Sequence, residues 1–257
     1  MEAIGWTVAF PAAILLIVAS FSVFVWFGIP WAGRRLQTTR LAARCAARRA
    51  IVLSYDDGPG AVVTSALADL LALHGVRASF YAIGREALVR PDLVTRLLAE
   101  GHEIGSHTQD HRNAWKSLPW VTFRDIRAGQ RSLYRLGMPP GSFRPPFGKT
   151  TPATLVALRR PRAPLAFWTV DSRDSWEDPR PIAEVLSALE TQSGGVLLMH
   201  DCDRPPRARS GHDHRAYVLA LTEAVIDLAA RRGFAILRFC DLEEPLGPTR
   251  GPAETRR

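Results

Sequence analysis

After Arg49, short apolar runs alternate with amphipathic stretches, and this alternation constrains the fold more than any other feature of the chain. The strand-like runs are residues 50–55, 78–83, 103–106, 142–144, 165–170, 195–199 and 235–239. Helical periodicity fills the intervals at residues 65–74, 92–100, 123–136, 152–159, 182–191 and 216–232. Four of these helical patterns stop at a glycine (Gly75, Gly101, Gly137 and Gly233), the residue that most easily takes the left-handed backbone ending a helix. Strands alternating with helices give parallel strands joined by right-handed crossovers. Seven such units predict an α/β protein built as a distorted (β/α)7-8 barrel. The last residues, 243–257, rich in proline, glycine and charge, are expected to be disordered.

In parallel α/β folds, chemistry gathers where strands end. Here Asp56 and Asp57 end the first strand, and His107 and His111 follow the third. Arg144 ends the fourth, Asp171 and Asp174 follow the fifth, and His200 and Asp201 follow the sixth. Adjacent carboxylates after an apolar run resist joint ionisation. A strand also points neighbours to opposite faces, so Asp56 and Asp57 are expected to have different tasks. Two histidines four apart, with one carboxylate, make a His₂Asp set that leaves open positions on a cation for water. Either stretch alone reads equally as a polar turn or surface histidines; so many polar residues at one rim do not.

The first 49 residues have a different character. No charged residue occurs from Ala3 to Gly33, and residues 6–27 are long enough to cross a bilayer. Trp6 lies at one end and Trp26 and Trp31 at the other, where aromatic rings favour the headgroup level. A cleaved signal peptide is the competing reading, weakened by the absence of Lys or Arg before the run and by its length. Residues 1–33 are therefore expected to be a membrane anchor. Residues 34–49 form a basic juxtamembrane linker carrying Arg34, Arg35, Arg40, Arg44, Arg48 and Arg49. The catalytic domain spans residues 50–242. The six arginines place that domain in the cytoplasm by the positive-inside rule, on a bacterial-type inner membrane with a single pass. The net charge of +8, carried almost wholly by arginine, suits an anionic partner. No RNA- or DNA-binding signature accompanies it, so nucleic acid is excluded as a partner. The three cysteines, Cys45, Cys202 and Cys240, are odd in number and widely spaced, and give neither a metal knuckle nor a disulfide framework.

With these residues in view, the chain resembles the polysaccharide deacetylase family, also called the NodB-homology or family 4 carbohydrate esterase domain. The likeness runs from Ala50 to Leu242 in ordered motifs. T-F-D-D-G appears as Ser54-Tyr55-Asp56-Asp57-Gly58, and H-[ST]-x-x-H as His107-Thr108-Gln109-Asp110-His111. R-x-P-[FY]-G appears as Arg144-Pro145-Pro146-Phe147-Gly148, and L-x-H as Leu198-Met199-His200. The fourth motif departs: an Asp followed at once by Trp is replaced by Asp174-Ser175-Trp176, and Asp171 competes for the role.

The resemblance implies a distorted barrel that removes an N-acyl group, most often acetyl, from an amino sugar. It implies one divalent metal on Asp57, His107 and His111, taken as Zn²⁺, with Co²⁺, Ni²⁺ or Mn²⁺ as other possibilities. Asp56 is then the base, His200 the acid, and Arg144 and Asp174 (or Asp171) their supports. Tyr55, Pro146, Phe147, Trp176 and Leu198 are expected to bind substrate, with the Phe147 backbone N–H facing the developing oxyanion. His74, His102, His212 and His214 read as helix-end, turn or solvated-loop residues, and Cys202 as a bystander. The basic loop carrying Arg204, Arg207, Arg209 and Arg215 suggests a phosphate beside the sugar, hence a polyprenyl-phosphate-linked substrate at the inner leaflet. The alternatives are an exported deacetylase of peptidoglycan or chitin-like oligosaccharide, a deformylase on the same scaffold, and a silent barrel that binds glycan or headgroup.

Overall fold

The computed structural model describes residues 14–138, 141–159, 163–205 and 212–243. The first part of the expected anchor, Arg207 and Arg209 of the basic loop, and the tail from residue 244 lie outside them. A long helix, α1 (Ile14–Arg48), opens the described chain and contains one wider π turn at Phe24–Gly28. Then follow β1 (Ala50–Asp56), α2 (Val63–Leu73), β2 (Ser79–Ala82), α3 (Gly84–Val89), α4 (Pro91–Ala99) and β3 (Glu103–Ser106). The second half adds α5 (Pro119–Arg135), α6 (Pro152–Leu158), β4 (Val170–Asp171), α7 (Ile182–Thr191) and β5 (Gly195–His200). It ends with α8 (His214–Arg232), β6 (Ala235–Leu237) and α9 (Phe239–Glu243).

All the strand pairs are parallel, in the order β3-β2-β1-β5-β4, with β6 also on β1. β1 is buried along its whole length because both of its faces are covered. Ile51, Leu53 and Tyr55 meet the helix layer with Leu67 and Leu71 of α2 and Leu221 and Val225 of α8. Val52 points to the opposite face, as do Ser54 and Asp56, in the alternation a strand imposes. The lower half of β1 (Ala50, Ile51 and Val52) pairs with β6, and the upper half (Ser54, Tyr55 and Asp56) pairs with β2.

Single bridges carry the sheet further, from Ser106 to Phe143 and from Phe143 to Leu165. The segment that begins at Leu165 ends as β4, which pairs with β5, so the sheet curls back on itself. All seven expected strand positions therefore contribute, but unequally. The fourth shrinks to the single residue Phe143, bridged on both sides, because Pro145 and Pro146 follow Arg144 and offer no N–H to a ladder. The fifth is a bridge plus a two-residue strand, and the seventh stops at Leu237 because Phe239 starts a helix. The short helices α3 and α9 have no counterpart in the sequence reading, and α5 begins earlier than expected, with Pro119 in its first turn.

The stretch expected as a separate basic linker is the second half of α1, and it packs on the barrel. Leu41 and Cys45 are buried with Val52, Val196, Phe167 and Phe239. The arginines take part in this packing. Arg34 Nη1 donates to the Gly148 carbonyl at 3.1 Å, and its guanidinium lies 4.7 Å from the Trp168 ring centre. Arg48 Nη1 donates to the Asp241 carbonyl at 2.6 Å, and Arg49 Nη2 to the Arg232 carbonyl at 2.7 Å. Among the described residues, α1 is the one helix long and apolar enough to cross a membrane. Its first eleven residues, 14–24, are exposed.

This packing has a measurable consequence. Leu41→Ala in the full-length protein should cost about 2–5 kcal/mol, the usual range for truncating a buried leucine. Leu36→Ala, at an exposed position of the same helix, should stay within about 0.5 kcal/mol. Denaturant titration of the detergent-solubilised chain reads both; equal effects would contradict the packing described.

Candidate metal centre and active site

The site lies on the rim where β1, β3 and β5 end. Asp56 is the last residue of β1 and is aligned with His200, the last residue of β5. Its Oδ1 accepts from Arg144 Nη1 at 2.7 Å, and Arg144 is fully buried. That guanidinium also donates to Ser54 Oγ at 2.9 Å and lies 3.9 Å from the Tyr81 ring centre. The buried charge is thus paired, hydrogen-bonded and stacked, the condition under which burial of an arginine is tolerated.

Asp57 leaves the strand with φ 71°, a left-handed conformation. The turn frees it from strict alternation, so Asp57 reaches the same site as Asp56. Its Oδ1 lies 3.1 Å from His111 Nε2 and 3.4 Å from His107 Nε2. The histidines do not share a helix face. They meet because the loop after β3 folds tightly, with positive φ at Thr108 and His111, and the His111 N–H donates to Thr108 Oγ1 at 3.0 Å.

These three residues fit a divalent cation. One ligand atom from each lies within 4.8 Å of the others. Asp57 Oδ1 is buried without a hydrogen-bond partner, as an atom aimed at a cation would be. His107 Nδ1 lies 2.7 Å from the Arg144 carbonyl. A carbonyl only accepts, so Nδ1 carries the hydrogen and Nε2 presents its lone pair to the site. Burial and the neighbouring His107 push the His111 pKa down to about 4, which leaves a neutral imidazole ready to ligate. Burial opposes ionisation of Asp57, but the histidines that face it, His107 foremost and then His200, hold its carboxyl below the usual range. One nitrogen-rich set with a single carboxylate suits several first-row metals and does not choose among them.

Across the site, His200 Nδ1 lies 2.9 Å from Asp174 Oδ1, and the His200 backbone N–H donates to Asp174 Oδ2 at 2.8 Å. Burial works against the imidazolium, yet the charge and hydrogen bond of Asp174 raise the His200 pKa to about 9. Asp171 is turned elsewhere: its Oδ1 accepts the Arg173 N–H at 2.9 Å. The extra residue of the fourth motif is absorbed by a turn with Arg173 at φ 55°, which Ser172 Oγ closes on Asp174 Oδ1 at 2.9 Å.

A polysaccharide deacetylase family model matches residues 43–164. A chitooligosaccharide deacetylase of Bradyrhizobium sp. (strain ANU 289) is 32% identical over 196 residues, covering 73% of this chain and 88% of that protein. The chain belongs to the polysaccharide deacetylase family. The peptidoglycan N-acetylglucosamine deacetylase PgdA of Listeria monocytogenes is 31% identical over 160 residues, 62% of this chain but only 34% of that longer protein. Among solved structures, the Bc1960 peptidoglycan N-acetylglucosamine deacetylase superposes with a TM-score of 0.67 at 25% identity, covering 77% of this chain and 89% of that one. Together with the Asp57–His107–His111 triad, this kinship makes the deacetylase a metal-dependent enzyme.

Several expected site residues of this deacetylase are placed differently from the sequence reading. Tyr55 is not at the site: strand alternation turns it outward, where its hydroxyl meets Thr222 Oγ1 at 2.9 Å and its ring stacks on Phe80. Trp176 is 56% exposed beneath the Arg173 guanidinium, so it stands on the rim and does not wall a closed pocket. Phe147, at φ 57°, lays its half-exposed ring 4.7 Å from His111, next to the buried Pro146. Leu198 is buried two residues before His200 on β5 and shares its face.

His214 was expected in a solvated loop but is buried as the first residue of α8, with Nε2 3.1 Å from Asp174 Oδ2. His212 Nε2 donates to the Asp174 carbonyl at 3.2 Å. His102 is buried too, and its Nδ1 accepts the Ala78 N–H at 3.1 Å. Arg204, assigned in sequence to a phosphate, donates instead to Asp57 Oδ2 at 3.1 Å and to Cys202 Sγ at 3.1 Å. Burial pushes the Cys202 thiol up to about 12, so it has no nucleophilic form at neutral pH. Asp201 sits so close to Gly58 that any side chain there would strike its carboxylate, which explains the glycine after the paired aspartates.

Two outcomes follow from this geometry. His111→Ala should lose bound metal in chelator competition, whereas Asp56→Asn should retain it; the reverse pattern would mean that the carboxylates have exchanged roles. Because the His200 pKa lies near 9, kcat/KM should fall as pH rises through about 9 and the imidazolium gives up its proton. Asp174→Asn removes the charge that retains that proton, so the alkaline limb should move to lower pH, read directly in a pH–rate profile.

Proposed function

We propose that the deacetylase hydrolyses the acetamide of N-acetylglucosamine units in an oligomeric glycan. The observation that carries this reading is one rim on which an Arg144-held carboxylate adjoins an Asp/His/His triad and faces a histidine held by Asp174. A divalent cation held by Asp57, His107 and His111 supplies Lewis acidity toward the amide carbonyl and a water of lowered pKa. Asp56 takes the proton of the attacking water. Arg144 occupies Oδ1 of that carboxylate and leaves Oδ2 to act, 3.7 Å from His107 Nε2. The Phe147 backbone N–H is assigned to the developing oxyanion. When the C–N bond breaks, the protonated His200 gives its proton to the leaving amine, and acetate and a free amino sugar result. Asp174 fixes the ring in the donating tautomer. A silent barrel is disfavoured because the residues assigned as base, acid and metal ligands all converge on this rim, and Leu198 with Pro146 are assigned to the acyl end.

The substrate class follows the relatives, which are named for chitooligosaccharide and for peptidoglycan N-acetylglucosamine. This displaces a polyprenyl-phosphate-linked sugar as the leading reading. The loop invoked for its phosphate has Arg204 engaged at Asp57, while Arg207 and Arg209 lie outside the described residues. We further assign α1 to a membrane anchor and the domain to the exported side. Positive-inside counting favours the cytoplasm. Arg34, Arg48 and Arg49, however, are needed by the fold itself, so their presence does not report topology alone.

The metal-loaded enzyme should release acetate, and not formate, from N-acetylglucosamine oligomers and peptidoglycan strands faster than from lipid-linked amino sugars. A reporter fused after Arg257 should be active only if it works after export. Preference for the lipid-linked sugar with an active cytoplasmic reporter would restore the inner-leaflet reading.

A further inference from the structure

The course of α1 over the barrel fixes which face of the enzyme meets the membrane. Its C-terminal end lies at the barrel floor: Arg48 contacts Asp241, and Arg49 leads directly into β1 beside β6. Moving back along the helix, Leu41 and Cys45 pack against the barrel midsection. Arg34 then reaches the rim, on the carbonyl of Gly148, one residue past Phe147. Phe27 meets Trp115 edge-on, ring centres 5.2 Å apart. Trp115 stands four residues after His111, and its Nε1–H donates to the Thr150 carbonyl at 3.0 Å. From Arg48 to Phe27 the helix climbs about 30 Å, a full barrel height, at 1.5 Å per residue. The exposed apolar turns from Ile14 to Val23 therefore leave the molecule on the side of the active-site rim.

That same rim carries large apolar side chains in the open. Leu118 and Trp120 at the start of α5, Phe147 beside the metal ligands and Trp176 after β4 are each more than half exposed. Among them stand the exposed cations Arg112, Lys116 and Arg173. Aromatic rings interleaved with cations suit the headgroup level of a bilayer, where the ring enters the interface and the charge meets lipid phosphate.

We propose that the active-site rim rests against the bilayer surface, with Leu118, Trp120, Phe147 and Trp176 at the interface and α1 rising from the same face into the membrane. This rests on the reading of α1 as an anchor. The anchor does more than retain the enzyme: it turns the Asp57–His107–His111 centre toward the lipid. Substrate then enters sideways, along the membrane surface, and the enzyme selects glycan segments lying close to the lipid over those extending far from it.

The test uses the full-length chain with a fluorescent non-natural amino acid at position 120 or 176 on the rim, or at position 73 on the exposed end of α2 at the floor. The protein is reconstituted into phosphatidylethanolamine–phosphatidylglycerol vesicles containing headgroup spin-labelled lipid. Fluorescence at positions 120 and 176 should be quenched several-fold more than at position 73. Equal quenching, or stronger quenching at position 73, in protein that co-floats with the vesicles overturns the orientation while leaving the anchor intact. Failure to co-float overturns the anchor and the orientation together. Shielding of positions 120 and 176 that depends on protein concentration and not on lipid assigns the rim to a second copy of the chain, and also overturns the proposal.

Discussion

Everything at the rim depends on Arg144. Its guanidinium holds Asp56, and its backbone carbonyl fixes the tautomer of His107, so a single residue sets both the carboxylate proposed as the base and a residue of the metal-binding triad. The residue is fully buried, and an arginine in that setting needs every available partner. Asp56, Ser54 and the Tyr81 face supply partners from two different strands, with Trp168 beyond, and Nη2 alone stays buried without a hydrogen-bond partner. Removing the carboxylate would leave an uncompensated buried cation, a loss that typically costs about 3–5 kcal/mol. The Arg144–Asp56 pair is therefore also structural, and an isosteric Asn at position 56, which keeps an acceptor for the guanidinium, disturbs the packing less than truncation would.

Asp174 plays the corresponding part across the cleft. Its carboxylate is fully buried and serves two imidazoles, His200 on one oxygen and His214 on the other. Burial opposes its ionisation, but the two histidines outweigh that and keep the group charged. His214 couples the first turn of α8 to Asp174 and through it to His200, since it both opens that helix and holds the far side of the carboxylate. Ser172 Oγ, 2.9 Å from Asp174 Oδ1 and 2.7 Å from the Leu198 carbonyl, ties the turn to β5, so Asp174 is held by its own turn as well as by His200 and His214.

The sequence made the strand–helix alternation and the rim positions legible, because period and chain order are local properties. Asp57, His107 and His111 could be grouped through the resemblance, and Asp174 could be named beside Asp171. What was not legible depended on which way a side chain turns. Tyr55 stands next to Asp56 in the first motif, yet the period of two sends it into the helix layer. His214 lies in a stretch rich in arginine, glycine and charge, and nothing local marks it as buried; only the approach of Asp174 from 40 residues away makes it so. The arginines after the apolar run show the same limit. Their spacing reads as a lipid-facing stripe, whereas Arg34 and Arg48 find backbone carbonyls far along the chain.

The rim is also where the backbone is least relaxed. Asp57, Thr108, His111, Phe147 and Arg173 all hold positive φ without being glycine, and each belongs to a loop that carries or flanks a site residue. Left-handed backbone costs an ordinary residue on the order of 1 kcal/mol or more. Replacing these residues by glycine would relieve that cost but would delete the ligand, or the ring beside it, that the turn exists to present. The strain is held by what lies beneath: a β1 buried from end to end and a parallel sheet that returns on itself through Phe143 and Leu165. A metal site assembled from the ends of two strands, β1 and β3, needs its ligands to turn sharply inward over a short distance. Left-handed turns on a rigid ring achieve this, and a longer, relaxed loop would surrender the ligand positions to solvent.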